Sequence, residues 1–76
     1  MIIISSLTSL KEGETAIINC VTTRSSIRRR LQDIGLVKGT QVQCLQKSIF
    51  GDPVAYLIRD TVIAIRNEDA QLITID

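Results

Sequence analysis

Between stretches rich in β-branched residues the chain carries one segment with helical spacing, and that single interruption constrains the fold more than any other feature. Ile27, Leu31 and Ile34 recur at i, i+4 and i+7, which is one face of a helix and does not fit a strand. The polar break from Thr22 to Ser26 ends in hydroxyl residues suited to accept from the unpaired N–H groups at a helix start. Gly35 stands where the helix must end, at a position that calls for a left-handed backbone. In a Schellman stop the next residue packs back onto the third residue from the helix end, which pairs Leu36 with Leu31. The spacing therefore predicts a short helix over about 25–34.

The remainder reads as short strands. Glu14–Val21 (ETAIINCV) follows the turn signal Lys11-Glu12-Gly13 and is the expected first strand. After Lys38-Gly39, Thr40–Lys47 alternates, with Val42 and Cys44 on one face and Gln41 and Gln43 on the other, the pattern of a strand with one wet side. Phe50-Gly51-Asp52-Pro53 is a loop leading into a strand at Val54–Arg59. Asp60-Thr61 is the expected connection to Val62–Arg66, although it lacks the glycine that favours a tight hairpin turn. Asn67–Ala70 reads as one helical turn begun by Asn67, and Leu72–Ile75 as a last strand.

The class is thus mainly β, a small barrel of about five strands with one inserted helix, because closing the sheet removes edges that invite aggregation. With 76 residues, residues 1–76 make one domain, able to bury only about 60% of its unfolded surface. Phe50 and Tyr56 are the only aromatics, so the core must be aliphatic.

Several kinds of chemistry are excluded. The chain has no histidine, which removes the commonest general base and the commonest transition-metal ligand. Cys20 and Cys44 lack Cys-x-x-Cys spacing and are expected as reduced thiols pointing into the barrel. A ferrous or zinc site through those thiols would need them to face solvent. Asp52, Asp60, Glu68 and Asp69 would need the fold to gather them before they could hold a hard cation. No phosphate-cradling loop occurs. No catalytic, cofactor or metal residue is expected, and the chain is expected to act by binding. Met1–Ile4 is too short for a signal-peptide core, and nothing approaches a membrane span. The expectation is a cytoplasmic chain without membrane insertion.

The charge is +1 overall, but residues 24–38 carry a net +4 through Arg24, Arg28, Arg29, Arg30 and Lys38 against Asp33. At about 100° per residue from Ile27, Arg28 and Arg29 point sideways and away, and Arg30 borders the apolar face. Three adjacent arginines cannot share one side of a helix, whereas a phosphate-tracking stripe needs aligned charges with support elsewhere. Two aromatics also give few stacking platforms for single strands. A nucleic-acid role is the alternative, and none is expected. Arg28, Arg29 and Arg30, with Lys38 in support, are the candidate contacts for an acidic protein surface. Otherwise they form a solvated helix face, with the Arg30 stem lying over the core edge.

Three segments together carry a resemblance: RRRLQDIGLVKGTQV, Gly51-Asp52-Pro53-Val54, and IAIRNEDAQLI with Arg66 and Ala70. From about Leu7 to Ile75 the chain resembles the ferrous iron transport protein A (FeoA) family of small proteins with an SH3-like barrel. The resemblance implies a cytosolic accessory of bacterial ferrous iron uptake whose partner is FeoB, a membrane transporter with a GTP-hydrolysing domain. The barrel is also similar to the C-terminal domain of iron- and manganese-dependent transcriptional regulators, so it does not by itself fix the partner. Weak self-association and the direction of any effect on the transporter stay open.

Overall fold

The computed structural model describes residues 5–22 and 25–76, with the side chains of the helix described from Arg28 onward. Met1–Ile4, Thr23 and Arg24 lie outside the described residues, as do the side chains of Ser25, Ser26 and Ile27, on which the expected cap and apolar contact rest. In chain order the elements are β1 (Ser5–Ser6), a 3-10 turn (Leu7–Ser9), β2 (Thr15–Val21), α1 (Ser25–Asp33), β3 (Gln41–Lys47), β4 (Val54–Ile58), β5 (Thr61–Ile65), α2 (Asn67–Ala70) and β6 (Ile73–Ile75). The sheet is antiparallel throughout, in the order β1-β6-β2-β3-β4-β5. It has one strand more than the sequence suggests, because two serines without β-branching pair with Ile75 and Thr74.

Strand β2 makes the sheet curl. Its first half, Thr15–Ile17, pairs with β3, and its second half, Ile18–Val21, pairs with β6. Within the second half the register against β6 shifts between Ile18 and Cys20. Ile18 and Val21 are both buried, three positions apart, so the alternation that would bury every second residue is broken at the irregularity. Cys20 consequently faces outward and is exposed, while Cys44 is buried. The expectation that both thiols point into the barrel is corrected for Cys20.

The enclosed core is aliphatic, with Leu7, Ile18, Leu36, Val42, Ile58 and Ile73 fully covered and Tyr56 as its one aromatic. Leu7 comes from the 3-10 turn, an element that sequence pattern did not suggest. Each covered Val, Leu or Ile contributes roughly 1.5–3 kcal/mol.

The α1 stop has the expected form. Gly35 has φ +99°, its N–H donates to the Gln32 carbonyl at 3.0 Å, and the Leu36 N–H donates to the Leu31 carbonyl at 2.9 Å. Those are the two bonds of a Schellman motif. Leu31 is 7% exposed and Leu36 is fully buried, whereas Ile34 is 37% exposed, so the apolar face is narrower than its spacing implies. Thr40 locks the exit from the helix: its hydroxyl donates to the Gly35 carbonyl at 3.0 Å, and its carbonyl accepts from the Ile18 N–H at 2.9 Å.

The β4–β5 hairpin turns one residue earlier than expected. Ile58 pairs with Thr61, leaving Arg59 and Asp60 as the turn, with φ of 49° and 67°. Positive φ at both central residues marks a type I′ turn, whose twist matches the hairpin even without glycine. The expected connection Asp60-Thr61 is therefore replaced by Arg59-Asp60. Helix α2 starts at Asn67, but the first free N–H is capped from another loop, by Asp52 Oδ1 at 2.9 Å. The Asn67 amide donates instead to the Gly51 carbonyl at 2.8 Å, so the two bonds tie the β3–β4 loop to α2.

Candidate docking surface

Helix α1 carries Arg28, Arg29 and Arg30 in succession, and all three are exposed, as is Lys38 in the turn before β3. Arg30 lies in the last turn of α1, where a cation complements the partial negative charge of the helix end. Exposed guanidinium groups on a short, firmly stopped helix can pair with carboxylates or phosphates.

The four candidates do not share one hollow. Arg30 borders a groove of about 640 Å³ between α1 and β5, with Leu31, Ile34 and Ile63 among its apolar lining and Asp33, Arg66, Glu68 and Asp69 among its charges. Lys38 borders a separate hollow of about 510 Å³ with Arg59, Asp60, Gln41 and Gln43. Arg59 and Arg66 are thus cations beside the candidates that the sequence reading did not select. Arg66 sits 36 positions from Arg30, and only the return of β5 past α1 brings them to one groove. Away from both hollows, Phe50 stands 94% exposed beside Ile49 at 97%.

The thiols do not build a reactive centre. Burial, outweighing the opposing pull of the Lys47 charge and joined by the smaller effects of the Glu12 and Glu14 carboxylates, pushes the Cys44 thiol up from its ordinary value, which keeps it protonated and inert near neutral pH. Tyr56, paired across the strands with Cys44, is pushed up to about 12, first by burial and then by Cys44. Among the described residues, no three of His, Cys, Asp or Glu are gathered as a metal cluster. No helix among them is long and apolar enough to cross a membrane.

A curled six-stranded antiparallel sheet with its one long helix inserted between β2 and β3 defines a small SH3-like barrel domain with a cationic helix on its surface. A FeoA from Stenotrophomonas maltophilia, solved in complex with zinc as a prokaryotic SH3 domain protein, superposes with a TM-score of 0.82 at 28% identity, covering 93% of this chain and 88% of that one. Residues 5–76 match the FeoA domain, and the chain belongs to the FeoA family. The solution structure of the FeoA protein from Chlorobium tepidum has a TM-score of 0.89 at 33% identity, over 92% of this chain and 67% of that one. The Fe(2+) transport protein A/Fe(2+) transporter FeoB fusion protein of Porphyromonas gingivalis is 34% identical over 70 residues, 92% of this chain. The chain spans only 8% of that fusion protein's length.

Proposed function

We propose that this chain is a non-enzymatic, cytosolic accessory of ferrous iron uptake that docks on the cytosolic region of a FeoB-type transporter and modulates it. The observation that carries the reading is the Porphyromonas gingivalis relative, in which the matching domain and FeoB are one polypeptide. Arg28, Arg29 and Arg30 on α1 form the contact, with Lys38 in support. Their exposure and the basic balance of residues 24–38 favour an acidic partner surface, since a guanidinium pairs with a carboxylate in bidentate fashion and lysine does not replace it.

The test is a pull-down of the transporter's cytosolic region with Arg28→Glu/Arg29→Glu. Binding is expected to be lost while the thermal midpoint moves by no more than about 8 °C, since each of the two exposed substitutions changes stability by about 0.5 kcal/mol or less. Undiminished binding by the folded double variant overturns the docking surface.

A further inference from the structure

The ends of the sheet are unlike each other. Among the described residues, β1 offers only Ser5–Ser6 at its edge, whereas β5 is a five-residue edge strand, Thr61–Ile65. Natural edges are usually blunted by charge, proline or a bulge. The sequence TVIAI contains no charge and no proline, and its register with β4 is unbroken.

The register also says which backbone groups are free to pair. With Ile58 and Thr61 closing a two-residue turn, the hydrogen-bonded pairs of this hairpin are Ile58–Thr61, Tyr56–Ile63 and Val54–Ile65, alternating with non-bonded pairs. The N–H and C=O groups of Val62 and Ala64 therefore point away from β4. Neither residue's backbone takes part in any other hydrogen bond among the described residues. Val62 is 61% exposed and Ala64 is exposed too.

We infer that this edge pairs with β5 of a second copy of the chain, antiparallel about a two-fold axis at Ile63. The choice of a second copy rests on self-complementarity in that register. Val62 of each copy faces Ala64 of the other as a hydrogen-bonded pair, which makes four new backbone bonds and sets a larger side chain beside a smaller one. Ile63 faces its twin as a close, non-bonded pair, extending the apolar lining of the α1–β5 groove. Beyond the strand, the same register sets Asp60 of each copy alongside Arg66 of the other, and both are exposed. A carboxylate meets a guanidinium at each end, where a one-residue slip would lose both pairs and turn Val62 toward Ile63. An interface of one short strand per copy belongs to the small, weak class, so the dimer forms at high concentration. This association does not depend on the docking proposed for Arg28–Arg30.

Sedimentation velocity on the whole chain from about 10 μM to about 1 mM, with backbone amide spectra, tests the inference. The expected result is a concentration-dependent shift from one chain to two, with the Val62 and Ala64 amides protected in the dimer. Ala64→Pro removes an outward N–H that β4 does not use and is expected to raise the dissociation constant roughly tenfold or more by deleting two of the four bonds. Arg66→Glu sets two like-charge pairs against Asp60 and is expected to weaken the dimer, with Asp60→Asn added to it restoring part of the loss. It remains informative if the proline variant fails to fold. A chain that stays monomeric to about 1 mM, or a dimer indifferent to both folded variants, overturns the inference. So does protection of Val62 and Ala64 only on adding the transporter's cytosolic region, which would give the edge to a different strand.

Discussion

Replacing Gly35 by alanine isolates what the helix stop demands. At φ +99° an added Cβ would lie 2.6 Å from Arg59 Cδ and 3.1 Å from its Nε. Gly39 has nearly the same backbone, φ +90°, but an added Cβ there meets nothing within 4 Å. The left-handed conformation costs alanine about 1–2 kcal/mol at either site, offset by about 0.4–1 kcal/mol from a less flexible unfolded chain. Gly39→Ala is therefore expected to destabilise by about 1 kcal/mol. Gly35→Ala must also push the Arg59 side chain off its rotamer, at about 0.5–1.5 kcal/mol more. For a domain of this size the total corresponds to a fall in Tm of roughly 8–16 °C. Urea unfolding of both variants, with and without Arg59→Ala, measures the terms separately. In the Arg59→Ala background the cost of Gly35→Ala should fall to that of Gly39→Ala. Equal costs for the two glycines in the native background, or no relief from Arg59→Ala, would refute the assigned contact between the helix stop and the hairpin turn.

Alkaline pH should unfold the chain through its strand-paired Cys44 and Tyr56. Both groups hold their proton more tightly when folded, with Tyr56 at about 12 against an ordinary 10.0 and Cys44 raised from 9.0. Their stabilisation is complete below the unfolded values and is lost as pH rises from about 9 toward about 12, by about 2–3 kcal/mol for Tyr56 alone. Urea midpoints across that range should fall less steeply for Tyr56→Phe, and an unchanged slope would deny the buried phenol its role. In the native state one thiol, Cys20, should react rapidly with a thiol reagent, while Cys44 reacts only at the rate of opening. Two fast thiols, or a fast phase that survives Cys20→Ser, would contradict the outward turn after Ile18.

The elements written in local pattern were legible in the sequence. Helix α1 and its Leu31–Leu36 clasp follow from spacing and one glycine, and β3 follows from alternation that the structure reproduces at Val42 and Cys44. What escaped depends on pairing. The orientation of Cys20 is set by a shift of β2 against β6, a strand more than 50 positions away, and nothing within INCV announces it. The hairpin turn moved to Arg59-Asp60 because Ile58 and Thr61 complete the ladder. Cross-strand pairing there holds two non-glycine residues at positive φ against their local preference. The short strand β1 owes its place to the partners Thr74 and Ile75, not to its own propensity.

The surface was less legible than the core, because a charge run is one-dimensional and a docking face is not. RRR reads as one feature, yet the fold gives Arg30 to the groove shared with Arg66 and puts Lys38 beside Arg59. Exposed ion pairs contribute only about 0–1 kcal/mol each, so a contact resting on Arg28 and Arg29 steers encounter more than it holds the complex. A weak surface of that kind suffices where the partners are already close, and tethering supplies effective concentrations of about a millimolar. The covalent joining to FeoB in the Porphyromonas gingivalis relative is an arrangement of that sort. On the docking proposed above, the arginines therefore set orientation and partner choice, and proximity supplies much of the occupancy.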